Sequence, residues 1–144
     1  MANFINNDKE IILKSLGHLY VICKLNENFN TYDEFLSDKI KLDSSIFHLT
    51  QVGELCTKYT NEFRNNNFNI NFRDIIGLRN IMVHGYGTLH YDEIFDIIKE
   101  DVPKLMICYR DILSKNYNFK DEDIDTFINN YYNTRKFQFS DENK

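Results

Sequence analysis

The chain contains a single proline, Pro103, and five glycines, so little in its 144 residues interrupts a helix. Apolar residues recur at intervals of three and four, and strand-like alternation is rare. The expected fold class is therefore all-α, an antiparallel bundle of four to five helices. A first helix is expected from about Asp8 to Asn26, with Ile12, Leu16, Leu19, Tyr20 and Cys23 facing inward and Asp8 suiting the positive end of the helix dipole. A short helical piece follows at Tyr32–Ser37, capped by Thr31. A second long helix is expected from about Asp43 to Phe63. It contains Gly53, which costs about 1 kcal/mol against alanine and whose expected use is close approach of a neighbouring helix. The asparagine-rich run Arg64–Asn71 reads as a loop. A third helix should cover Phe72–Val83 and end on Gly85 as a left-handed cap. The last long helix, about Tyr91–Tyr117, contains Pro103 and should kink there. Residues 1–118 are expected to form the bundle, and 119–144 a C-terminal extension of the same domain. That extension should be helical from Asp121 to about Tyr132 and frayed beyond Arg135.

Composition narrows the function. A hydrophobic content of 42% supports a single core, and no apolar run approaches the ~18–20 residues that span a bilayer. The N-terminus has no secretory pattern, which points to the cytoplasm. Net charge is −5, unlike a dedicated binder of duplex nucleic acid. A small local positive site acting on single-stranded RNA stays compatible with that balance, as does a basic partner surface. Cys23, Cys56 and Cys108 lie far apart among apolar residues and are expected to be free thiols. Neither they nor His18, His48, His84 and His90 show metal-ligand spacing, so no metal and no cofactor are expected.

The informative segment is Gly77-Leu78-Arg79-Asn80-Ile81-Met82-Val83-His84-Gly85-Tyr86-Gly87. Arg79 falls near the middle of the third helix's apolar arc, where a charge is costly unless it is paired, faces a polar cleft or snorkels. Glu54 is the obvious carboxylate partner. Five residues separate Arg79 from His84, about 140° on an ideal helix, so the two would not touch. Either the helix loosens near Val83–His84, or two copies of the pair meet across a two-fold axis in a homodimer built through the third and fourth helices.

Arg79, four intervening residues and His84 resemble the signature of the HEPN domain, and His84-Gly85-Tyr86 resembles its form in toxins of HEPN–MNT (HepT-like) toxin–antitoxin pairs. Val52-Gly53-Glu54, Asp74–Asn80 and Glu100–Leu105 resemble further family elements, and the similarity runs from about Asp8 to Leu113. Phe72 and Phe95 stand where the family often has tryptophan, and the residues from about Asn116 onward have no clear counterpart.

The resemblance implies a metal-independent endoribonuclease cleaving single-stranded RNA or tRNA. Histidine as a residue type titrates near neutrality and can act as base or acid, which makes His84 the proton-transfer candidate. Arg79 would hold the phosphate and stabilise its growing charge. Asn80 would donate to the phosphate or orient Arg79, and Glu54 would support Arg79. The expected products are a 2′,3′-cyclic phosphate and a 5′-hydroxyl. The resemblance further implies an MNT-type nucleotidyltransferase antitoxin that adenylylates Tyr86, adding charge and bulk that repel RNA. Two other readings stay open: a non-catalytic module that binds a nucleotide or serves as substrate-binding subunit of a nucleotidyltransferase, and a purely structural helical dimer. A basic cleft around Arg79 at a dimer interface favours the nuclease, and a defined small-molecule pocket away from His84 favours the binding module. An Arg79 sealed in an ion pair, with His84 in bulk solvent, favours the structural dimer.

Overall fold

In the computed structural model the backbone is described for residues 2–85 and 89–142, and the elements among them are helical. They are α1 (Ala2–Asn26), α2 (Tyr32–Ser37), α3 (Lys39–Cys56), α4 (Asn61–Asn66), α5 (Phe72–His84), α6 (Tyr91–Asp96), a π-helical turn (Ile97–Asp101), α7 (Val102–Tyr117) and α8 (Asp121–Glu142). The protein is an all-α bundle. α1 lies at its centre, packed against α3, α7 and α8, and α5 packs on the far side of α3. No described helix is long and apolar enough to cross a membrane.

Several elements differ from the sequence expectation, each for a local reason. α1 starts at Ala2, so Asp8 is not in its first turn. Instead Asp8 is buried and accepts hydrogen bonds from the backbone N–H and the hydroxyl of Thr60, at 3.0 and 2.7 Å. Thr60 in turn caps α4, accepting from the Phe63 N–H. The long helix expected over Asp43–Phe63 is thus two helices. α3 begins four residues early, where the Asp38 carboxylate accepts from the Lys41 N–H, and it ends at Cys56. α4 takes up the first part of the expected Arg64–Asn71 loop. The short piece Tyr32–Ser37 and its Thr31 cap are as expected. α8 runs well past Arg135, to Glu142, where fraying was expected.

Pro103 does not break the helical path. Its ring would clash with the carbonyl of Lys99, one turn back. The backbone answers with a π turn over Ile97–Asp101, in which the Val102 N–H bonds the Ile97 carbonyl five residues back. Ile94, Ile98 and Val102, buried at intervals of four, match that wider turn. At the other end of α7, Asn118 takes a left-handed φ of 59°, and the Phe119 N–H reaches the Leu113 carbonyl at 3.1 Å, a Schellman closure with asparagine in place of glycine.

The core joins Ile12, Leu16, Leu19 and Ile22 of α1 to Val52 and Cys56 of α3 and Tyr109 and Leu113 of α7. α8 closes the bundle with Ile124 and Ile128, and it seats Tyr131 directly over Gly17, where a Cβ would meet the ring at 2.6 Å. The Tyr131 hydroxyl lies 3.1 Å from His18 Nε2, and His18 Nδ1 lies 2.9 Å from His48 Nδ1, so a polar chain, buried at its histidines, ties α8 to α1 and α3.

Tyr59, Tyr109 and Cys56 form a second buried cluster, with the Cys56 Sγ 3.7 Å from the Tyr109 hydroxyl. Burial pushes the Cys56 thiol from its ordinary 9.0 up to about 11 and raises both phenols. Each group therefore holds its proton to higher pH in the folded chain than in the unfolded one. That stability is fully present below the unfolded values and is lost as pH rises through the folded ones. For Cys56 the window is about pH 9 to 11, and about two units correspond to roughly 2–3 kcal/mol. The urea midpoint should fall steeply over this range, and a Cys56→Ala variant should show a shallower slope, whatever its stability at neutral pH. Equal slopes would mean that the thiol is not buried as described.

Candidate active site

The site is built on the contact between α3 and α5. A Cβ on Gly53 would overlap the Cβ of Arg79, approach its Cγ to 3.0 Å and the Ile75 carbonyl to 3.2 Å. The missing methyl group is what lets α5 lie this close, as the sequence suggested. It also places the stem of Arg79 against α3 beside the next residue, Glu54.

Arg79 Nε donates to Glu54 Oε2 at 2.5 Å, Nη2 lies at 2.5 Å from the same oxygen, and Nη1 donates to Asn80 Oδ1 at 2.8 Å. These contacts occupy three of the five guanidinium N–H groups and leave one on each terminal nitrogen. The pair is not sealed: the Arg79 and Glu54 side chains retain 23% and 41% of their exposure. A half-exposed pair contributes little to stability, about 1 kcal/mol or less, so its clearer effect is to fix where the guanidinium points. Asn80 is exposed and orients Arg79 through its carbonyl oxygen, which turns its own amide donors away from the arginine.

His84 is the last residue of α5 and is exposed. The loosening expected near Val83–His84 does not occur. The Gly85 N–H bonds the Ile81 carbonyl at 2.7 Å, an ordinary helical bond. Gly85 itself has φ −113°, so it is not the left-handed cap that was expected. With the helix intact, Arg79 and His84 of one chain diverge by about 140°. No hydrogen bond or ion pair joins His84 to Arg79, Asn80 or Glu54 among the described residues. Tyr86, the expected modification site, lies outside the described residues. The structure thus assembles Glu54, Arg79 and Asn80 and leaves His84 apart on the same helix.

Replacing Gly53 with alanine tests this packing. Alanine is favoured over glycine within a helix by about 1 kcal/mol, but overpacking at fixed backbone costs about 1–3 kcal/mol. The expected balance is a loss of up to about 2 kcal/mol in the urea midpoint. A gain in stability would mean that α3 and α5 are not in contact at this point.

A family model for HepT-like ribonucleases matches residues 16–112, about two thirds of the chain. The chain belongs to the HepT-like ribonuclease family. The match spans α1 from Leu16 through most of α7, and so includes Glu54, Arg79, Asn80 and His84, while α8 lies beyond it. Among curated proteins, this HepT-like chain is 36% identical over 74 residues to a Methanocaldococcus jannaschii protein named "Putative RNase" (51% of this chain, 68% of that protein). It is 25% identical over 85 residues to a protein of the same description from Caldanaerobacter subterraneus subsp. tengcongensis (59% and 76%). It is 26% identical over 111 residues to an M. jannaschii protein named "Gamma-glutamylcyclotransferase and putative RNase", covering half of that longer protein. No solved structure matches the chain.

The sequence reading missed a second set of residues beside this site. Arg64, Phe68, Asn69, Arg73 and Gly77, together with Asn80, line a cleft of about 940 Å³ along α5. The available signal was a run with two arginines and an aromatic among asparagines.

Proposed function

We propose that this protein is a metal-independent endoribonuclease that cleaves single-stranded RNA or tRNA, the toxin of a HEPN–MNT pair. The observation that carries the reading is an arginine on α5, inside the family-matched range, held by Glu54 and Asn80 with one N–H on each terminal nitrogen left over. A phosphodiester oxygen is the acceptor such a fork suits best. In the reaction, the 2′-hydroxyl loses its proton to a histidine as its oxygen attacks phosphorus. The bond to the 5′-oxygen breaks, and that oxygen leaves with a proton. The products are a 2′,3′-cyclic phosphate and a 5′-hydroxyl. His84 carries the proton transfer, and Arg79 balances the charge that grows on the phosphoryl oxygens.

One chain presents Arg79 and His84 in different directions, so the working unit is a homodimer through α5 and the helical stretch from Tyr91 to Tyr117. Support comes from exposed Ile81 and Val83 beside His84, exposed Ile107 on α7, and a groove of about 770 Å³ in which Ile75, Leu78, Ile81, Leu105 and Cys108 lie beside the charged Asp74, Asp101 and Lys104. A second copy covering this face brings two α5 helices into one cleft and gives base and acid from two His84 side chains. The run His84-Gly85-Tyr86 supports adenylylation of Tyr86 by a nucleotidyltransferase antitoxin as the means of silencing.

The test is cleavage of total tRNA and unstructured RNA in excess EDTA, with protein shown by mass to carry no AMP. The expected result is cleavage that leaves cyclic-phosphate ends. An inert unmodified protein would move the reading to a binding module that serves a nucleotidyltransferase.

A further inference from the structure

We propose that the cleft beside Arg79 is the track for the RNA strand, with Phe68 stacking on a base and Arg73 holding a backbone phosphate on the approach to His84. This deepens the nuclease reading and rests on it.

The electrostatics of the lining are the first argument. The chain carries 22 acidic residues against 17 basic ones, yet the cleft is lined by two arginines and no carboxylate. Arg64 is anchored by donating to the Cys56 carbonyl at 2.9 Å. Arg73 is exposed and makes no ion pair among the described residues. A polyanion finds here a local positive site on an otherwise negative protein.

Phe68 is the second argument. The residue is 87% exposed, whereas the neighbouring Phe63 and Phe72 are buried against Tyr59. An aromatic ring left open at the rim of a basic cleft is a surface for a nucleobase, which stacks whatever its sequence. Gly77 leaves the floor open, since a Cβ there would meet nothing within 4 Å. Asn69 and Asn80 supply donors and acceptors for base edges and 2′-hydroxyls, and the Asn80 carbonyl is already held by Arg79.

Register on α5 is the third. Arg73, Gly77, Asn80 and His84 are spaced by four, three and four, one stripe along a single helix face. Arg73 and His84, eleven residues apart, differ by about 20° in direction and about 16 Å along the axis. A strand seated on Phe68 and Arg73 runs along that stripe to His84 past Asn80, whose carbonyl accepts from Arg79 Nη1.

The experiment uses an oligoribonucleotide that is 2′-O-methylated throughout, which cannot be cleaved, so binding is read apart from catalysis. Phe68→Ala and Arg73→Gln are each expected to weaken its binding about tenfold or more without moving the melting temperature. Arg73→Gln should also reduce the slope of log K against log salt by about 0.7. Phe68→Trp keeps a stacking ring and introduces the only tryptophan in the chain. Its emission should be quenched with the same midpoint as binding. An oligonucleotide that binds the wild type and both variants equally overturns the track while leaving the nuclease reading intact. So does one that binds without quenching while Phe68→Ala changes the oligomeric mass, which would give the ring to a protein contact. Binding lost in the variants, from a wild-type protein that cleaves nothing, supports the track and sinks the nuclease reading.

Discussion

On the proposed reading, replacing His84 with alanine is expected to cut RNA cleavage by roughly 10²–10⁴ in kcat and to leave the melting temperature where it was. The two halves of this expectation come from the same observation. His84 is exposed at the end of α5 and makes no hydrogen bond or ion pair with the Glu54–Arg79–Asn80 group. Its removal opens no cavity and orphans no buried group, so stability should change by no more than about 0.5 kcal/mol. A histidine kept only as a helix-end residue would give unchanged cleavage. Comparing rates of wild type and variant on one RNA in EDTA, with the urea midpoint of each, separates the two cases. Cleavage that persists in the variant defeats the assignment of His84.

Arg79→Lys is the second large effect. Lysine keeps the positive charge but not the planar fork, so its three N–H donors do not reproduce the fixed geometry that holds Glu54 and Asn80 and leaves two N–H groups for a phosphate. Loss of a donor positioned for transition-state charge costs about 10²–10³ in rate, and the deficit should fall mainly on kcat. Folding should be nearly untouched, because Glu54 is 41% exposed and rehydrates when its partner shortens. Full activity in the lysine variant would reduce Arg79 to a point charge. A collapse of the fold would make the pair structural.

The sequence made the architecture legible where helical period and caps agree. Thr31 and the apolar spacing of α5 placed their helices closely. It failed at Asp43–Phe63, because a continuous apolar period cannot reveal that Asp8, 52 residues away, reaches across to stop the chain at Thr60. Within the site, Glu54 was readable as the partner of Arg79 because a charge on an apolar face demands one, whereas Asn80 came only from the family resemblance. The separation of His84 was half readable: the 140° divergence follows from spacing, but the intact bond from Gly85 to Ile81 does not. Phe68 and Arg73 were hidden because exposure is a tertiary property, and an asparagine-rich run reads only as a turn. α8 lies outside the family match, and its seat depends on Gly17 meeting Tyr131, a contact that spans 114 residues.

The methyl group absent from Gly53 has a thermodynamic consequence. A free arginine side chain carries about 2 kcal/mol of rotamer entropy, most of which is lost when a ligand immobilises it. Here the stem of Arg79 lies clamped between α3 and α5, and Glu54 and Asn80 fix its head, before any RNA arrives. The ordering therefore belongs to folding, and on the proposed reading a phosphate would meet a donor already at rest. Swapping one hydration shell for another would be nearly all that remained to be done at the encounter.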